Sequence, residues 1–203
     1  MESKNPTESR RTIRSKMRQR RRQLTAATQQ KSAQNAARIT QSQRFFINSK
    51  RLAAYLSNDG ELSPEYVISK ALGSRKSVYL PVLHPILHNC LWFLEYTENT
   101  PLRKNRFGIL EPDVKRAKRV QPWTLNVVLM PLVAFDPKGS RLGMGGGFYD
   151  RTFSHLRPMV RRPKLIGFAH GFQCVKALPS ENWDVPMTGI ITEERYFQVP
   201  GRT

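Results

Sequence analysis

Hydrophobic and polar positions along this chain form a pattern that predicts interleaved strands and helices. The predicted strands are residues 51–57, 77–80, 90–96, 126–135, 164–169 and 187–192. The run at 126–135, NVVLMPLVAF, is the most apolar and predicts a central buried strand. Apolar and alanine positions at helical spacing predict helices over 10–24 and 28–48, and further helices are expected from Ser63 and Phe148. This order favours an α/β fold with a largely parallel sheet.

A turn and a glycine-dense loop follow the predicted central strand. The segment DPKG at residues 136–139 has the residue order of a type I turn. Four glycines between residues 143 and 147 then remove most Cβ atoms, which is useful where the backbone takes a positive φ or touches a ligand. With a helix starting at Phe148, the loop amides and the helix dipole would point at one place, a geometry that suits a phosphate.

Spacing alone predicts an anion-binding loop and no particular nucleotide motif. The loop lacks the Gly-Lys-Ser/Thr ending of a Walker loop, and Phe148 or Asp150 stands where a dinucleotide fingerprint has its last glycine. A tight connection without a ligand is the alternative. Arg141 supplies a planar cationic fork beside the loop, and Asp150 in the first helical turn can hold a hard cation such as magnesium.

The chain is strongly basic, with a formal net charge of +19. Residues 1–51 contain 14 Lys and Arg against two Glu, so the excess is mainly amino-terminal. Such charge attracts polyanions, including nucleotides, polycarboxylates and nucleic acid. The predicted helix over 10–24 has only a sparse apolar stripe of Ile13, Met17 and Leu24, and it needs an anion or a docking surface to be stable. A solvated basic face or a nucleic-acid contact are the alternatives, although no aromatic residue precedes Phe45.

Length and composition predict one domain. The 203 residues, 39% of them hydrophobic, suffice for a single core. Residues 1–9 are polar and predicted to be disordered, which leaves 10–203 as the domain. Two cysteines without metal-ligand spacing favour a reducing compartment, and no apolar run is long enough to cross a membrane. The arginine-rich start overlaps the composition of a mitochondrial transit peptide, but it continues into the predicted helix, so we expect a cytoplasmic monomer.

The string AFDPKGSRLGMGGGFYDR at residues 134–151 resembles the signature of the 5-formyltetrahydrofolate cyclo-ligases, also called methenyltetrahydrofolate synthetases. The resemblance extends to YLPVLHP at 79–85, to Glu111-Pro112, to WDVP at 183–186 and to the basic amino-terminal helix, and it covers nearly all of the chain. It implies a single three-layer α/β/α domain. It also implies an ATP- and Mg²⁺-dependent enzyme that converts 5-formyltetrahydrofolate to 5,10-methenyltetrahydrofolate, with release of ADP and phosphate.

The resemblance also assigns site residues by position. It implies ATP binding by Arg10, Arg11, Arg14, Arg141, Leu142, Gly143, Met144, Gly145, Gly146, Gly147, Phe148 and Tyr149. It implies folate binding by Leu56, Glu61, Met144, Gly145, Gly146, Gly147 and Phe148. Metal binding is implied for Asp150 and Asp184, and catalytic roles for Arg141 and Asp150. Family loops commonly have basic residues where Met144 and Gly146 stand, so the resemblance implies that Arg141 would neutralise more of the phosphate charge in this chain.

The implied reaction requires no protein nucleophile, because phosphoryl transfer depends mainly on positioning and charge neutralisation. The polar segment 97–124 is a candidate mobile cover over the site. The high net charge leads us to expect a preference for polyglutamylated folates. Two competing hypotheses are a nucleic-acid-binding module, supported by the basic amino terminus alone, and a folate- or nucleotide-binding regulator without catalysis. Arg141 and Asp150 argue against the second.

Overall fold

A computed structural model describes residues 9–156, 158–159, 162–179 and 181–199, and its centre is an eight-stranded sheet. The strands are β1 (Arg51–Ala53), β2 (Ser77–Leu83), β3 (Leu91–Tyr96), β4 (Leu102–Lys104), β5 (Leu110–Pro112), β6 (Arg119–Val120), β7 (Val127–Pro131), β8 (Ala134–Phe135), β9 (Arg141–Leu142), β10 (Lys164–Phe168), β11 (Gly189–Ile191) and β12 (Tyr196–Gln198). The α-helices are α1 (Arg10–Arg22), α2 (Ala26–Gln41), α3 (Arg44–Ile47), α4 (Glu65–Gly73) and α5 (Phe148–Phe153). Short 3₁₀ helices cover Pro122–Thr124, Ser154–Leu156 and Gly171–Gln173.

The sheet has the order β12-β11-β10-β7-β1-β2-β3-β6. Its five inner strands, β11 to β2, are parallel, and antiparallel strands flank them on both sides. Strands β4 with β5 and β8 with β9 form two separate hairpins. The prediction of a largely parallel α/β sheet is confirmed.

Helices cover both faces of the sheet, which gives the three layers that the family resemblance implied. On one face, Ala36 of α2 and Val67 of α4 belong to a buried cluster with Leu129 of the central strand. On the other face, Phe153 at the end of α5 packs in a second cluster with Met130. Neighbouring residues of β7 therefore face opposite layers, as expected for a strand that is buried on both sides.

The prediction of one continuous strand over 126–135 is wrong. Strand β7 ends at Pro131, and the chain resumes as β8 in a hairpin with β9. The side-chain amide of Gln173 explains the interruption, because it donates hydrogen bonds of 2.8 Å to the carbonyl oxygens of both Leu132 and Val133. These two carbonyls are thus satisfied outside the sheet.

Other boundaries differ from the pattern for local reasons. The predicted helix over 28–48 is two helices, α2 and α3. Strand β2 continues past Pro81 because β1 has already ended at Ala53, so no ladder hydrogen bond is lost at the proline. Helix α4 begins at Glu65 with Pro64 rather than Ser63 at the cap position, although the Ser63 hydroxyl accepts a hydrogen bond from the Glu65 amide. Strand β12, which the pattern missed, closes the edge beside β11.

The basic amino-terminal helix is confirmed as α1. Two positions of its predicted apolar stripe dock it, because Ile13 and Met17 are buried in a cluster with Val133, Ala134 and Leu142. The third position, Leu24, lies beyond the end of α1 and is only partly buried. This contact supplies the docking surface that the like-charged helix was expected to need. The prediction for residues 1–9 falls outside the described residues, apart from Ser9, whose hydroxyl caps α1. Within the described part of the chain, no helix combines the length and apolarity that a membrane crossing needs.

Candidate active site

A cleft of about 650 Å³ opens at the carboxyl ends of the parallel strands. Tyr55 and Leu56, just beyond β1, and Pro131, at the end of β7, form part of its wall. This edge is where open α/β sheets bind ligands. A larger cleft, of about 1050 Å³, lies at the opposite edge near Asn126 and Lys164, and no predicted site residue lines it. The smaller cleft is therefore the candidate active site.

All but one of the predicted site residues line this cleft. They are Arg10, Arg14, Leu56, Glu61, Arg141, Leu142, Gly143, Met144, Gly145, Gly146, Gly147, Phe148, Tyr149, Asp150 and Asp184. Arg11 does not line it, and its side chain is exposed. The reason is helical geometry: Arg10 and Arg14 are four residues apart and share a face of α1, whereas Arg11 points about 100° away from Arg10.

The glycine loop, residues 143–147, is an open backbone segment along the cleft. Gly145 and Gly147 have φ values of 107° and 66°, in the region that other residues rarely adopt. The predicted turn before the loop is present, and its Asp136 Oδ1 accepts hydrogen bonds from the amides of Lys138 and Ser140, both at 3.0 Å. Helix α5 has only six residues, so we assign anion attraction to the loop amides and nearby arginines rather than to the helix dipole.

Two arginines of α1 place positive charge beside the glycine loop. Arg14 Nε donates a 2.8 Å hydrogen bond to the Gly143 carbonyl. Arg10 Nη2 donates to the carbonyl of Pro179 at 2.7 Å and to Asp184 Oδ2 at 3.1 Å. Burial, and then the charge of Arg10, lower the pKa of Arg14. An anion in the cleft would relieve this repulsion, so the geometry suits a phosphate group.

Arg141 and Asp150, the predicted catalytic pair, are in direct contact. Arg141 Nη2 donates to Asp150 Oδ1, and Arg141 Nη1 donates to the carbonyl of Val185. The Val185 amide donates to the same Asp150 oxygen at 2.9 Å. The Arg141 side chain is 7% exposed, so this is a largely buried ion pair at the base of the glycine loop. Sequence reasoning had placed both residues here but had not predicted their pairing.

The acidic residues fit a magnesium ion shared with phosphates. Among the described residues, no group of three or more histidine, cysteine, aspartate or glutamate side chains could hold a metal by itself. Magnesium commonly uses one or two carboxylates together with substrate phosphates and water. Asp150 and Asp184 both line the cleft, and the Val185 amide links the segment that carries Asp184 to Asp150. Arg141 and Val185 use the same oxygen of Asp150, which leaves the other oxygen for a ligand.

The Asp59 turn, residues 58–61, forms the other end of the cleft. Arg18 Nε and Arg21 Nη2 donate to Asp59 Oδ2 at 2.7 and 2.9 Å, and Arg22 Nε donates to Asp59 Oδ1. Glu61 follows in the same turn, and its burial raises its pKa to about 7 against the opposing charge of Arg21. A carboxyl group in a cleft whose pKa is raised close to 7 is typical of a functional site.

Aromatic and apolar side chains from a hairpin form a third wall. The tip of the β4–β5 hairpin carries Phe107, whose ring meets Phe148 of the glycine-loop side edge-on at 6.0 Å between centroids. Buried Glu111 accepts hydrogen bonds from the Leu83 amide at 3.2 Å and the Asn105 side chain at 3.1 Å, which attaches the hairpin to β2. From the polar segment 97–124, residue 107 and residues 109–111 line the cleft. Its role as a mobile cover stays a prediction.

Several residues that line the cleft were not predicted as site residues from the sequence. They are Arg18, Arg21, Tyr55, Asp59, Phe107 and Trp183. The α1 arginines carried a usable signal, since positions 10, 14, 18 and 21 recur at helical spacing and lie on one face. Asp59 carried none, because an Asp-Gly pair after a strand is also an ordinary turn.

The fold and the cleft define a three-layer α/β protein with a cleft at one sheet edge that is lined by a glycine loop and by arginines. The model of the 5-formyltetrahydrofolate cyclo-ligase family matches residues 6–193, which include every residue of the cleft. A 5-formyltetrahydrofolate cyclo-ligase of Haemophilus influenzae is 42% identical over 188 residues, covering 91% of this chain and 98% of its own. That of Escherichia coli K12 is 40% identical over 182 residues, covering 90% and 99%.

Solved structures give the same result. An NMR structure of the 5,10-methenyltetrahydrofolate synthetase of Aquifex aeolicus superposes with a TM-score of 0.80 at 27% identity, over 96% of this chain and 95% of that one. A synthetase of Mycoplasma pneumoniae, at 20% identity and a TM-score of 0.72 over 92% and 99% of the two chains, shares the fold. The chain belongs to the 5-formyltetrahydrofolate cyclo-ligase family. The family and enzyme class predicted from the sequence are thereby confirmed.

Proposed function

We propose that this protein converts 5-formyltetrahydrofolate and MgATP to 5,10-methenyltetrahydrofolate, ADP and phosphate. One observation carries the proposal: in a chain of this family, the residues assigned to ATP, folate and metal come together in one cleft, with Arg11 as the exception. Relatives over nearly the whole chain are named for this reaction, which supports it.

The chemistry requires activation of the formyl oxygen, which is a poor leaving group. That oxygen attacks the γ-phosphorus of ATP and ADP leaves. N10 of the folate then attacks the activated formyl carbon and loses its proton, and the C–O bond breaks to release phosphate and the methenyl product. Each step moves negative charge onto phosphate oxygens, so the protein contributes mainly positioning and charge neutralisation.

The glycine loop and three arginines serve the phosphates in this proposal. Loop amides approach the phosphates without Cβ atoms in the way. Arg14, which already contacts Gly143, and Arg10 supply positive charge from α1. Arg141 stabilises the charge that develops on the transferred group, and its bond to Asp150 fixes its orientation. Magnesium held by Asp150 and Asp184 with phosphate oxygens would neutralise further charge.

The opposite end of the cleft binds the folate. Leu56 at this end and Phe148 on the facing glycine-loop side give the folate apolar walls, and Glu61 offers a carboxylate to N–H groups of the ligand. The edge-on contact of Phe107 with Phe148 narrows the cleft between the two ends. Exclusion of water matters here, because water would compete with N10 for the activated formyl carbon.

The experiment mixes purified protein with 5-formyltetrahydrofolate, ATP and magnesium, and follows the near-ultraviolet absorption of methenyltetrahydrofolate together with ADP formation. We expect both products in equal amounts and neither when any component is omitted. Folded protein that binds both ligands without turnover would support the non-catalytic regulator instead. Folded protein that binds neither would overturn the proposal and reopen the nucleic-acid hypothesis.

The contacts of α1 weigh against a nucleic-acid-binding function. Arg18, Arg21 and Arg22 are committed to Asp59, and Arg14 and Arg10 face the cleft. Fewer cations therefore remain on the outer face than the sequence suggests. We further propose a cytoplasmic monomer that prefers polyglutamylated folates, because the net positive charge attracts their polyanionic tails. Equal affinity for mono- and polyglutamate forms at low salt would contradict that preference.

A further inference from the structure

The side chain of Arg21 is the largest that lies entirely out of solvent in the described part of the chain. Its Nη2 donates to Asp59 Oδ2, and its Nη1 lies 3.7 Å from Glu61 Oε1. The Nε and Nη1 groups are buried and, within the described residues, have no hydrogen-bond partner. Burying a guanidinium with unused donors is costly, so a second role is needed to explain it.

Attachment of α1 to the Asp59 turn does not require Arg21. Arg18 binds Asp59 Oδ2 and Arg22 binds Asp59 Oδ1, so each oxygen has another cationic partner. The side chains of Arg18 and Arg22 are 36% and 60% exposed, so they make these contacts with little loss of solvation. The remaining carboxylate near Arg21 is Glu61, which lines the cleft.

The backbone of the turn is built closely against Arg21. Gly60 has a φ of 71°, and a Cβ atom at this position would lie 2.8 Å from the carbonyl oxygen of Arg21. The amide of Asn58 donates a 3.1 Å hydrogen bond to Glu61 Oε2. Glu61 therefore has one oxygen fixed by its own turn and the other directed towards the buried guanidinium.

We propose that Arg21 is a positioning residue: its buried guanidinium favours the charged form of the Glu61 carboxylate and orients it to accept hydrogen bonds from N–H groups of the folate. This inference rests on the function proposed above. The 3.7 Å separation between Arg21 Nη1 and Glu61 Oε1 is an ion pair without a hydrogen bond. Charge stabilises the carboxylate while its lone pairs stay available to a ligand.

Among the charged groups that act on Glu61, Arg21 is the cation that stabilises the ionised carboxylate. Asp59 is anionic and raises the pKa of Glu61, as burial does. Tyr55 and Tyr149 are neutral, because burial raises the pKa of each. His170, whose Nε2 lies 3.3 Å from the Gly60 carbonyl oxygen, is also neutral at neutral pH, because burial lowers its pKa to about 4.

The sign of the expected effect follows from these charges. Loss of the Arg21 cation raises the pKa of Glu61, so the carboxylate would form only at higher pH. Loss of the Asp59 anion lowers that pKa. Substituting Arg21 and substituting Asp59 both break the Arg21–Asp59 ion pair, but they move the pKa of Glu61, and with it the pH midpoint of folate binding, in opposite directions. An effect on packing alone would not show this difference.

The experiment measures the dissociation constant of 5-formyltetrahydrofolate by calorimetry, without ATP, across the neutral pH range. For Arg21→Met we expect the pH midpoint of binding to rise by about one unit, which is a loss of about tenfold in affinity below it. The control, Asp59→Asn, keeps a residue that tolerates positive φ and should leave the midpoint unchanged or lower it. Arg21→Lys should return the midpoint towards that of the wild type.

The outcomes separate this inference from the proposed function. Wild-type protein that fails to bind 5-formyltetrahydrofolate overturns the proposed function. Wild-type protein that binds it, with an unmoved midpoint in Arg21→Met or the same upward movement in Asp59→Asn, overturns only the role of Arg21. If Arg21→Met does not fold, Arg21→Gln, which can still donate to Asp59, replaces it. Failure of both to fold makes Arg21 a requirement of the fold and also overturns the inference.

Discussion

Two loops border the cleft at the carboxyl edge of the sheet, and α1 holds both of them by arginine side chains. At the glycine loop, Arg14 contacts a backbone carbonyl, and much of the loop stays exposed. At the Asp59 turn, three arginines contact a side-chain carboxylate, and the central one is wholly buried. The glycine loop has no acidic side chain to neutralise Arg14, whereas Asp59 neutralises much of the charge of the arginines that it contacts.

The difference shows that the charge of a helix does not reveal the use of that charge. Arg14 and Arg22 are the same residue type on the same helix, eight positions apart. For these two residues the partner differs: the Gly143 carbonyl leaves the charge of Arg14 available to a phosphate in the cleft, and the Asp59 carboxylate largely cancels the charge of Arg22. Substitutions on the two sides should therefore separate ligand binding from stability.

The largest effect is expected on the glycine-loop side, from Arg141→Ala. We expect turnover to fall by about a hundredfold or more, because a donor placed at a transferring phosphoryl group contributes ~3 kcal/mol. The measurement is kcat for methenyltetrahydrofolate formation. Arg38→Ala, which removes an exposed arginine of α2 outside the cleft, is the matched control and should retain activity. Near-normal turnover of Arg141→Ala would show that this role is wrong.

Arg14→Ala and Arg22→Ala test the comparison directly, because each removes one positive charge from α1. For Arg14→Ala we expect about a tenfold rise in the KM for ATP, from the loss of a charge-assisted hydrogen bond, and little change in Tm. For Arg22→Ala we expect an unchanged KM and a slightly lower Tm, because an exposed ion pair contributes at most about 1 kcal/mol. Equal effects of the two variants on KM would contradict the distinction.

Gly143→Ala tests whether the glycine loop binds a ligand or is only a tight connection between β9 and α5. A Cβ atom at Gly143 meets no protein atom within 4 Å, and the residue has no positive φ, so we expect unchanged thermal stability. If phosphates approach this backbone, the added methyl group should still raise the KM for ATP by about fivefold, at the lower end of overpacking costs. Gly73→Ala, equally open but distant from the cleft, is the control. An unchanged KM would favour a loop without a phosphate at this position.

At the Asp59 turn the expected effect is on stability rather than on turnover. Burial alone would raise the pKa of Asp59, but hydrogen bonds from Arg18, Arg22 and Arg21 outweigh it and lower the pKa to about 2. The ionised carboxylate therefore stabilises the fold above the unfolded-state pKa of about 4, and this contribution is lost as the pH falls towards 2. Asp59→Asn should unfold at lower urea than the wild type near neutral pH, with the difference narrowing through this window. A difference that stays constant down to pH 2 would contradict the assignment.

Much of the glycine-loop side was predictable because its parts are consecutive. The turn at Asp136, the positive-φ glycines and the helix start at Phe148 are local properties of residues 136–148. The strands of the parallel sheet were also found, since each is a short apolar run. The interruption of the central run was not found, because its cause is Gln173, which is forty residues away along the chain.

The sequence by itself determined the α/β class, the family, the position of the glycine loop and the two apolar residues, Ile13 and Met17, that dock α1. Each of these depends on residue type and short-range spacing, which the chain displays directly. Only the tertiary structure decided that Arg11 faces solvent, that Arg141 pairs with Asp150, and that Arg21 lies buried beneath Glu61. These contacts depend on which face of α1 packs against the ends of the strands and on which carboxylates lie within reach of its arginines. Packing between segments that are far apart along the chain decides this, and short-range sequence patterns do not contain that information.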